Sequence, residues 1–465
     1  MLKEYFFGLI DLFYGIVQGT LMESNNEKES QIRRWLFVLS LIGAIIILII
    51  GRGFLAALSF SSFFNVANAF NILYIWSPLW APVMFGSMFI SIWMRYIRME
   101  YIMKEGSVLL EIKIPKETMK SPLAMEIFFT SLYQTGTATY IETYWKGKVR
   151  PWFSLELVSI EGRVKFFIWC TKKFRNLVEA QLYAQYPNIE IHEAEDYMAW
   201  IHEPDPVNLP MWATYFKFMK SSVYPIKTYV DYGLNEDPKE EFKIDPMTSV
   251  LEYLGSMKKG EQVWIQIIIQ AHRTLKLKDG SLFKIPDWKD KVRHEIEKIR
   301  KESVIEQPGK EFPGMPNPTK GQQNTIAALE RSVSKWPFET AIRGCYISTK
   351  EAFTPISITG LIGTFRQYSS NDDVNGFKLG WFTDFDYPWQ DFRRIRRTQD
   401  EKEMLEAFKM RSFFQPPFKN FHQKPIILNT EELATIYHFP GSVAATPSLE
   451  RIPSKRSQAP ANLPI

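Results

Sequence analysis

Trp152-Phe153-Ser154-Leu155-Glu156-Leu157-Val158-Ser159-Ile160, then Glu161-Gly162, then Arg163-Val164-Lys165-Phe166-Phe167-Ile168-Trp169-Cys170 reads as strand, turn, strand. A two-residue connection ending in glycine between apolar-rich runs is the sequence form of a tight β-hairpin. Upstream, Val108, Leu110, Ile112 and Ile114 alternate with Leu109, Glu111 and Lys113, a strand closed by Pro115. Ser121-Pro122 then opens a helix whose Ala124, Ile127, Phe128 and Leu132 make a buried stripe. Downstream, Thr171 starts a helix through Tyr186 with Phe174, Leu177, Val178, Leu182 and Tyr183 inward, and Asn188 to Glu195 returns as a strand. The order is βαββαβ, the ferredoxin-like arrangement.

The same order recurs after residue 205. Tyr224 to Val230 is expected as a strand, Asp245-Pro246 opens a helix through Met257, and Val263 to Ala271 is a buried strand. Phe338 to Ser348 is the next strand, Pro355 to Tyr368 a helix, and Asn375 to Leu379 a last short strand. Between them lies an insertion, residues 273–337, with a charged helix over Trp288 to Ser303, a Pro/Gly-rich loop from Gln307 to Gly321 and a short helix after Asn324. Its charge suits either a docking arm or a solvated excursion.

The membrane end works outward from Arg34 and Arg52, which bracket the uncharged run Trp35 to Gly51. That run is short for a bilayer core, but Gly53-Phe54-Leu55-Ala56-Ala57-Leu58 extends it while Arg52 snorkels. A second uncharged stretch, Asn71 to Met94, carries Trp76, Trp80 and Trp93 near its ends and Pro78 and Pro82 inside, as expected of a second span. Arg33 and Arg34 before the first span and Arg95, Arg98 and Lys104 after the second place both termini and the soluble region on the cytoplasmic side. Tyr5 to Val17 contains Asp11 and lacks a small-residue cleavage pattern, so no cleaved signal is expected. Phe6, Phe7, Ile10, Phe13 and Val17 share one face, suiting a helix lying on the membrane or packed against the spans.

The expected fold class is therefore α+β: two N-terminal transmembrane helices followed by two tandem ferredoxin-like units, the second with the long insertion. The expected domains are an amphipathic segment (1–30), a two-span anchor (31–104), a first (105–205) and a second (206–385) ferredoxin-like domain, a basic helical arm (386–424) and a C-terminal tail (425–465). Across 465 residues, 46% hydrophobic and 23% charged, the mean hydropathy of −0.17 excludes a protein built mainly of spanning helices. The net charge of +5 is too mild to announce nucleic-acid binding without a local cluster. Two isolated cysteines, Cys170 and Cys345, make neither a disulfide framework nor a thiolate metal site.

Catalytic constellations are missing from the sequence. No GxxxxGK[ST] occurs; Gly360-Leu361-Ile362-Gly363-Thr364 lies in an expected helix with no lysine after it. His192, His202, His272, His294, His422 and His438 are scattered without metal-ligand spacing, and no GxSxG is present. The expectation is a non-enzyme with no cofactor and no metal. One cluster stands out: Phe392-Arg393-Arg394-Ile395-Arg396-Arg397, followed by a helical pattern with Leu405, Phe408 and Met410. Arg393, Arg394, Arg396 and Arg397 could grip DNA phosphates or a partner protein, or pair with Asp400, Glu401 and Glu403 on a solvated face.

The tail Ile427-Leu428-Asn429-Thr430-Glu431-Glu432-Leu433-Ala434-Thr435-Ile436-Tyr437-His438-Phe439-Pro440-Gly441, with Thr446-Pro447 and Ala459-Pro460-Ala461-Asn462-Leu463-Pro464, resembles the segment ahead of the ATPase core in the coupling-protein family of bacterial type IV secretion and conjugative DNA transfer. Ala180-Gln181-Leu182-Tyr183-Ala184-Gln185-Tyr186-Pro187, Ala194-Glu195-Asp196-Tyr197 and Tyr224-Pro225-Ile226-Lys227-Thr228-Tyr229 resemble that family's membrane-proximal region. The resemblance implies a membrane-anchored accessory subunit at the bacterial inner membrane. Its implied partners are a separate ring ATPase docked through Glu432, Leu433, Tyr437, His438, Phe439 and Pro440, other membrane subunits, further copies of the chain and DNA. The Walker-motif domain of that family would begin near Asn462, which is the reason for expecting the ATPase as a separate or lost chain. The competing expectation is a ligand sensor binding a small molecule between its paired units.

Overall fold

The computed structural model describes residues 74–115, 120–136, 138–201, 208–235, 244–273, 287–304, 317–370, 374–385, 387–441 and 451–452. The expected amphipathic segment and first span fall outside these residues. The described residues form two compact units, one comprising residues 74–101 and 140–148 and the other the rest of them.

In the first unit, α1 (Ser77–Glu105) is 29 residues long, about 43 Å of helix, and is long and apolar enough to cross a bilayer. Leu79, Phe85, Met88, Phe89 and Ile92 on it are exposed. Among the described residues it is the one helix of that kind.

In the second unit the chain runs β1 (Ser107–Pro115), α2 (Leu123–Ser131), β2 (Phe153–Ile160), β3 (Arg163–Thr171), α4 (Arg175–Gln185) and β4 (Glu190–Glu193), with the short α3 (Tyr140–Tyr144) of the first unit falling between α2 and β2. It continues through β5 (Met211–Phe218), α5 (Pro246–Gly255), β6 (Glu261–Ala271), α6 (Trp288–Glu302), α7 (Lys320–Ser334), β7 (Pro337–Ser348), α8 (Pro355–Gly363) and β8 (Phe377–Phe382). It closes with α9 (Ile395–Met410), β9 (Ile426–Asn429), α10 (Thr430–Ile436) and β10 (Arg451–Ile452). All described strands join one sheet, ordered β10-β1-β3-β2-β6-β7-β5-β8, with β4 also on β1 and β9 also on β7. Every pairing is antiparallel except that of β10 with β1.

Alternation along the strands sorts side chains to two faces. Leu155 and Leu157 of β2, Phe166 and Ile168 of β3, and Ile265 and Ile267 of β6 meet Phe128 of α2, Leu182 of α4, Leu251 of α5 and Leu433 of α10 in one core. That core draws on both halves of the sheet, so the two expected domains share one hydrophobic interior. On the opposite face Trp169, Trp264, Ala341 and Cys345 pack under Tyr197, Met198 and the α9 side chains Met404, Leu405 and Phe408.

Several local expectations are corrected. Tyr224–Val230 is a run of bends and turns, and the strand of that half is β5, Met211–Phe218, which pairs with both β7 and β8. Pro225 lacks an N–H for a central ladder, whereas Met211–Phe218 contains no proline and pairs on both sides, with one register shift between Thr214 and Phe216 against β8. The insertion's α6 and α7 pack on each other through Trp288, Val292, Ile296, Ile299, Ile326 and Leu329, so this charged stretch is an amphipathic helix pair with its own small core. Trp288 Nε1 donates to Ser222 O at 2.8 Å, tying the pair to the body. The basic arm is likewise no free arm, since α9 covers the second face of the sheet. The tail contributes β9 to β7 and α10 to the main core.

Candidate partner interface at the head of α9

The second face of the sheet carries a buried polar row. Glu156 on β2 lies opposite Gln266 on β6, Gln266 opposite Arg343 on β7, and Arg343 opposite Tyr215 on β5. The row thus crosses the junction between the two halves, where β2 pairs with β6. Gln266 Nε2 donates to Glu156 Oε1 at 3.0 Å, and Arg343 Nε donates to Gln266 Oε1 at 2.8 Å. Arg343 is fully buried with no carboxylate bonded to it; it donates to Ala407 O (2.7 Å) and Ser412 O (3.2 Å) and lies 4.4 Å over the Phe408 ring. Burial holds its pKa below the ordinary arginine value. Carbonyls at the C-terminal end of α9 therefore take the place of a counter-ion.

Arg411, just past α9, completes the clamp. Its guanidinium donates to Glu156 (Nε to Oε1, 2.9 Å; Nη2 to Oε2, 3.2 Å) and to Asp196, while Tyr197 Oη donates to Glu156 Oε2 at 3.0 Å. These bonds consume the buried polar groups of the row, which acts as a fastening for α9.

With the C-terminal end of α9 fastened, its N-terminal end presents a surface. Tyr387, Trp389, Phe392 and Ile395 are 51%, 73%, 91% and 63% exposed. Tyr387 and Trp389 stack at 4.6 Å. Interleaved with them, Arg393, Arg394 and Arg396 are exposed, and Arg396 lies 5.5 Å over the Phe385 ring. Arg394 caps the helix in the left-handed region (φ 55°). Arg397 stands apart from the other three: its Nε donates to Glu401 and its Nη1 to Asp384, both at 2.9 Å. Burial lifts the Glu401 carboxyl above its usual range, and Arg397 pulls it the other way. So the arginine run divides into three exposed cations and one ion-pair partner. The aromatic half of the surface was not singled out from the sequence, although Tyr387 and Trp389 lie just upstream of the arginines outside any helical stripe that would bury them.

The six residues expected to dock an ATPase are placed differently. Glu432, Leu433, Tyr437, His438, Phe439 and Pro440 are all buried within the chain. Tyr437 Oη donates to Phe167 O at 3.0 Å, and the His438 ring bonds Ala434 O (2.8 Å) and Asp245 (3.1 Å). Burial pushes the Glu432 carboxyl up to about 8, against the N–H groups of Asn429 and Ile226 that bond it. The distinctive tail motif is thus an internal fastening, with Leu433, Tyr437 and Phe439 in the main core.

A cleft of about 650 Å³ opens where β2 and β7 end and β6 begins, lined by Glu161, Asp196, Trp200, Gln262, Ser348 and Thr349 among others. Among the described residues no group of three His, Cys, Asp or Glu side chains could hold a metal ion.

Residues 99–451 match the family described as Domain of unknown function (DUF8128), well over half of the chain. The chain belongs to this family. No curated protein matches it. The DUF8128 stretch contains the polar row, α9 and the aromatic–arginine surface, and most of α1 precedes it.

Proposed function

We propose that this DUF8128 protein is a non-catalytic, membrane-anchored accessory subunit that docks a partner protein through the aromatic–arginine surface at the head of α9. The carrying observation is that surface: four exposed apolar side chains interleaved with three exposed arginines, in the segment that leads into the first turn of a helix whose other end is fastened into the body. Aromatic residues and arginine dominate the energetics of protein interfaces, and exposed apolar clusters of this kind mark them.

The strand orders β4-β1-β3-β2 and β8-β5-β7-β6, each with one helix after its first strand and one or more before its last, support reading the body as two ferredoxin-like units fused edge to edge. α1 supports a membrane anchor, while a second span over Trp35 to Gly51, cytoplasmic termini and a bacterial inner membrane rest on the uncharged run, the basic flanks and the resemblance in the sequence. The setting, a type IV secretion-like transfer machine with a separate ring ATPase as the docked partner, rests on the sequence resemblance alone.

The test is an Ala replacement of Trp389, Phe392, Arg393, Arg394 and Arg396 together in the full chain, read by co-purification with a co-expressed ring ATPase and by DNA binding over a range of salt. Loss of the ATPase with DNA affinity unchanged supports docking. A salt slope reduced by about 0.9 per lost phosphate contact would assign the surface to duplex DNA instead. A variant that keeps both interactions sinks the proposal. The cleft beside Asp196 favours the second reading, a ligand sensor, and saturable small-molecule binding lost on Trp200→Ala would support it.

A further inference from the structure

The first unit holds a feature outside the docking surface. Trp93 follows about 25 Å of α1, close to the thickness of a bilayer core. There the segment 140–148 returns to the helix: Trp93 Nε1 donates to Tyr144 O at 3.0 Å, and the Trp145 ring meets Trp93 edge-on at 6.2 Å. Phe89 and Tyr96 flank Trp93 at 6.2 and 6.3 Å. Gly147, at φ +65°, closes the return so tightly that a Cβ would overlap the carbonyl of Ile97 and the amide nitrogen of Arg98. The level of the segment along α1 is therefore set by backbone against backbone, one turn past Trp93.

From this clip Tyr140, Ile141 and Trp145 project 58%, 64% and 71% exposed. Lys146, next in the chain, and Arg95, two residues past Trp93 on α1, are exposed, and Lys148 pairs with Glu142 at 3.0 Å. Phe89, exposed on α1, stacks on Trp93, and Trp93 meets Trp145, so a chain of rings runs from the exposed apolar side chains of α1 to the clip. Tyr and Trp favour the headgroup level, where the ring meets acyl chains and the polar atom meets water. Basic residues at that level are attracted to anionic lipid.

We infer that residues 140–148 are an interfacial clip lying in the headgroup layer of an anionic leaflet, with Tyr140, Ile141 and Trp145 among the headgroups and Lys146 and Arg95 toward lipid phosphates. This rests on the reading of α1 as a span, and continuity with its apolar surface together with the basic flank selects lipid as the occupant.

Cys170 and Cys345 are buried, so a thiol-reactive fluorophore reports an added cysteine. The full chain carrying Ile141→Cys, Phe89→Cys or Lys301→Cys is labelled and reconstituted in phosphatidylcholine vesicles with or without phosphatidylglycerol. Nitroxide-bearing lipids then quench at shallow or deep positions, and iodide quenches from water. The expected pattern is shallow quenching at 141, strengthened by phosphatidylglycerol, deep quenching at 89, and iodide quenching alone at 301. Lys146→Glu should remove the phosphatidylglycerol effect at 141 and leave 89 unchanged, and Gly147→Val should expose 141 to iodide. Deep quenching at 89 with 141 as open to iodide as 301 overturns the clip and leaves the span standing. Protection of 141 from both iodide and lipid nitroxides means a protein covers it, which also overturns the clip. Loss of lipid quenching at 89 overturns the span and the clip together.

Discussion

Arg411 reaches Glu156 across 255 positions of sequence, Nε to Oε1 at 2.9 Å, with the two side chains 2% and 0% exposed. One belongs to the end of α9 and the other to the strand where the two halves of the sheet join. Their bond is therefore the point at which a helix late in the chain is fastened over that junction. Burial alone would lower the Arg411 pKa, but Glu156, Tyr197 and Asp196 raise it above the ordinary arginine value, so the guanidinium stays charged. Arg411→Met leaves a buried carboxylate unpaired and should destabilise the body by about 3–5 kcal/mol. Chemical unfolding of the detergent-solubilised chain checks this. Adding Glu156→Gln to that variant should cost much less than the two single losses summed, because the partner charge is gone as well.

Arg397 should separate from its neighbours in a stability measurement. Arg397→Ala strands the buried Glu401 and is expected to cost about 1–3 kcal/mol. Arg393→Ala and Arg394→Ala, on exposed side chains, should stay within about 0.5 kcal/mol of the parent. Equal losses at all three positions would show that the whole run is structural.

His272 sets a pH dependence. Its Nδ1 lies 3.1 Å from Glu339 and its Nε2 3.2 Å from Asp287, and although burial works against the charge, these carboxylates raise its pKa from 6.5 to about 9. A folded-state pKa above the unfolded one means that folding binds a proton. This contribution, roughly 3 kcal/mol, is complete below pH 6.5 and is lost as pH rises through about 9. Thermal melts between those limits should show the parent losing stability and His272→Gln losing less. Parallel pH profiles would contradict the assignment.

The turn between β2 and β3 predicts a sharp glycine effect. Glu161 (φ 52°) and Gly162 (φ 83°) both take the left-handed backbone of a hairpin turn, and a Cβ on Gly162 would come within 2.7 Å of Met257 O. Gly162→Ala should lower stability by at least about 1 kcal/mol, whereas Glu161→Gly relieves left-handed strain but gives up the bond that Gly260 N–H donates to Glu161 Oε1 at 3.0 Å, and should change stability by less than that. A neutral Gly162→Ala in the same unfolding experiment would refute the strain.

The sequence by itself determined the elements whose signal is local. Alternation in Val108–Ile114 and the Glu161-Gly162 turn reported their own strands, because side-chain period and turn backbone depend on neighbours in the chain. Asp245-Pro246 marked the start of α5 for the same reason: its carboxylate accepts from the Met247 N–H and the proline occupies the first turn. The tertiary structure alone decided what each polar group faces. Glu156, Gln266, Arg343 and Tyr215 are ordinary strand residues in one dimension, and only register across β2, β6, β7 and β5 brings them into a single buried row. The His438-Phe439-Pro440 motif was conspicuous enough in sequence to suggest a docking tail, yet β9 pairing with β7 turns it into the core. Exposure was decided in the same way. Phe392 opens the arginine run in the sequence, and it is 91% exposed just ahead of α9, whose other end is held by Arg411 and by the carbonyls that Arg343 bonds. Burial is a property of how distant elements meet, and sequence periodicity cannot express it when the fastening lies 255 residues away.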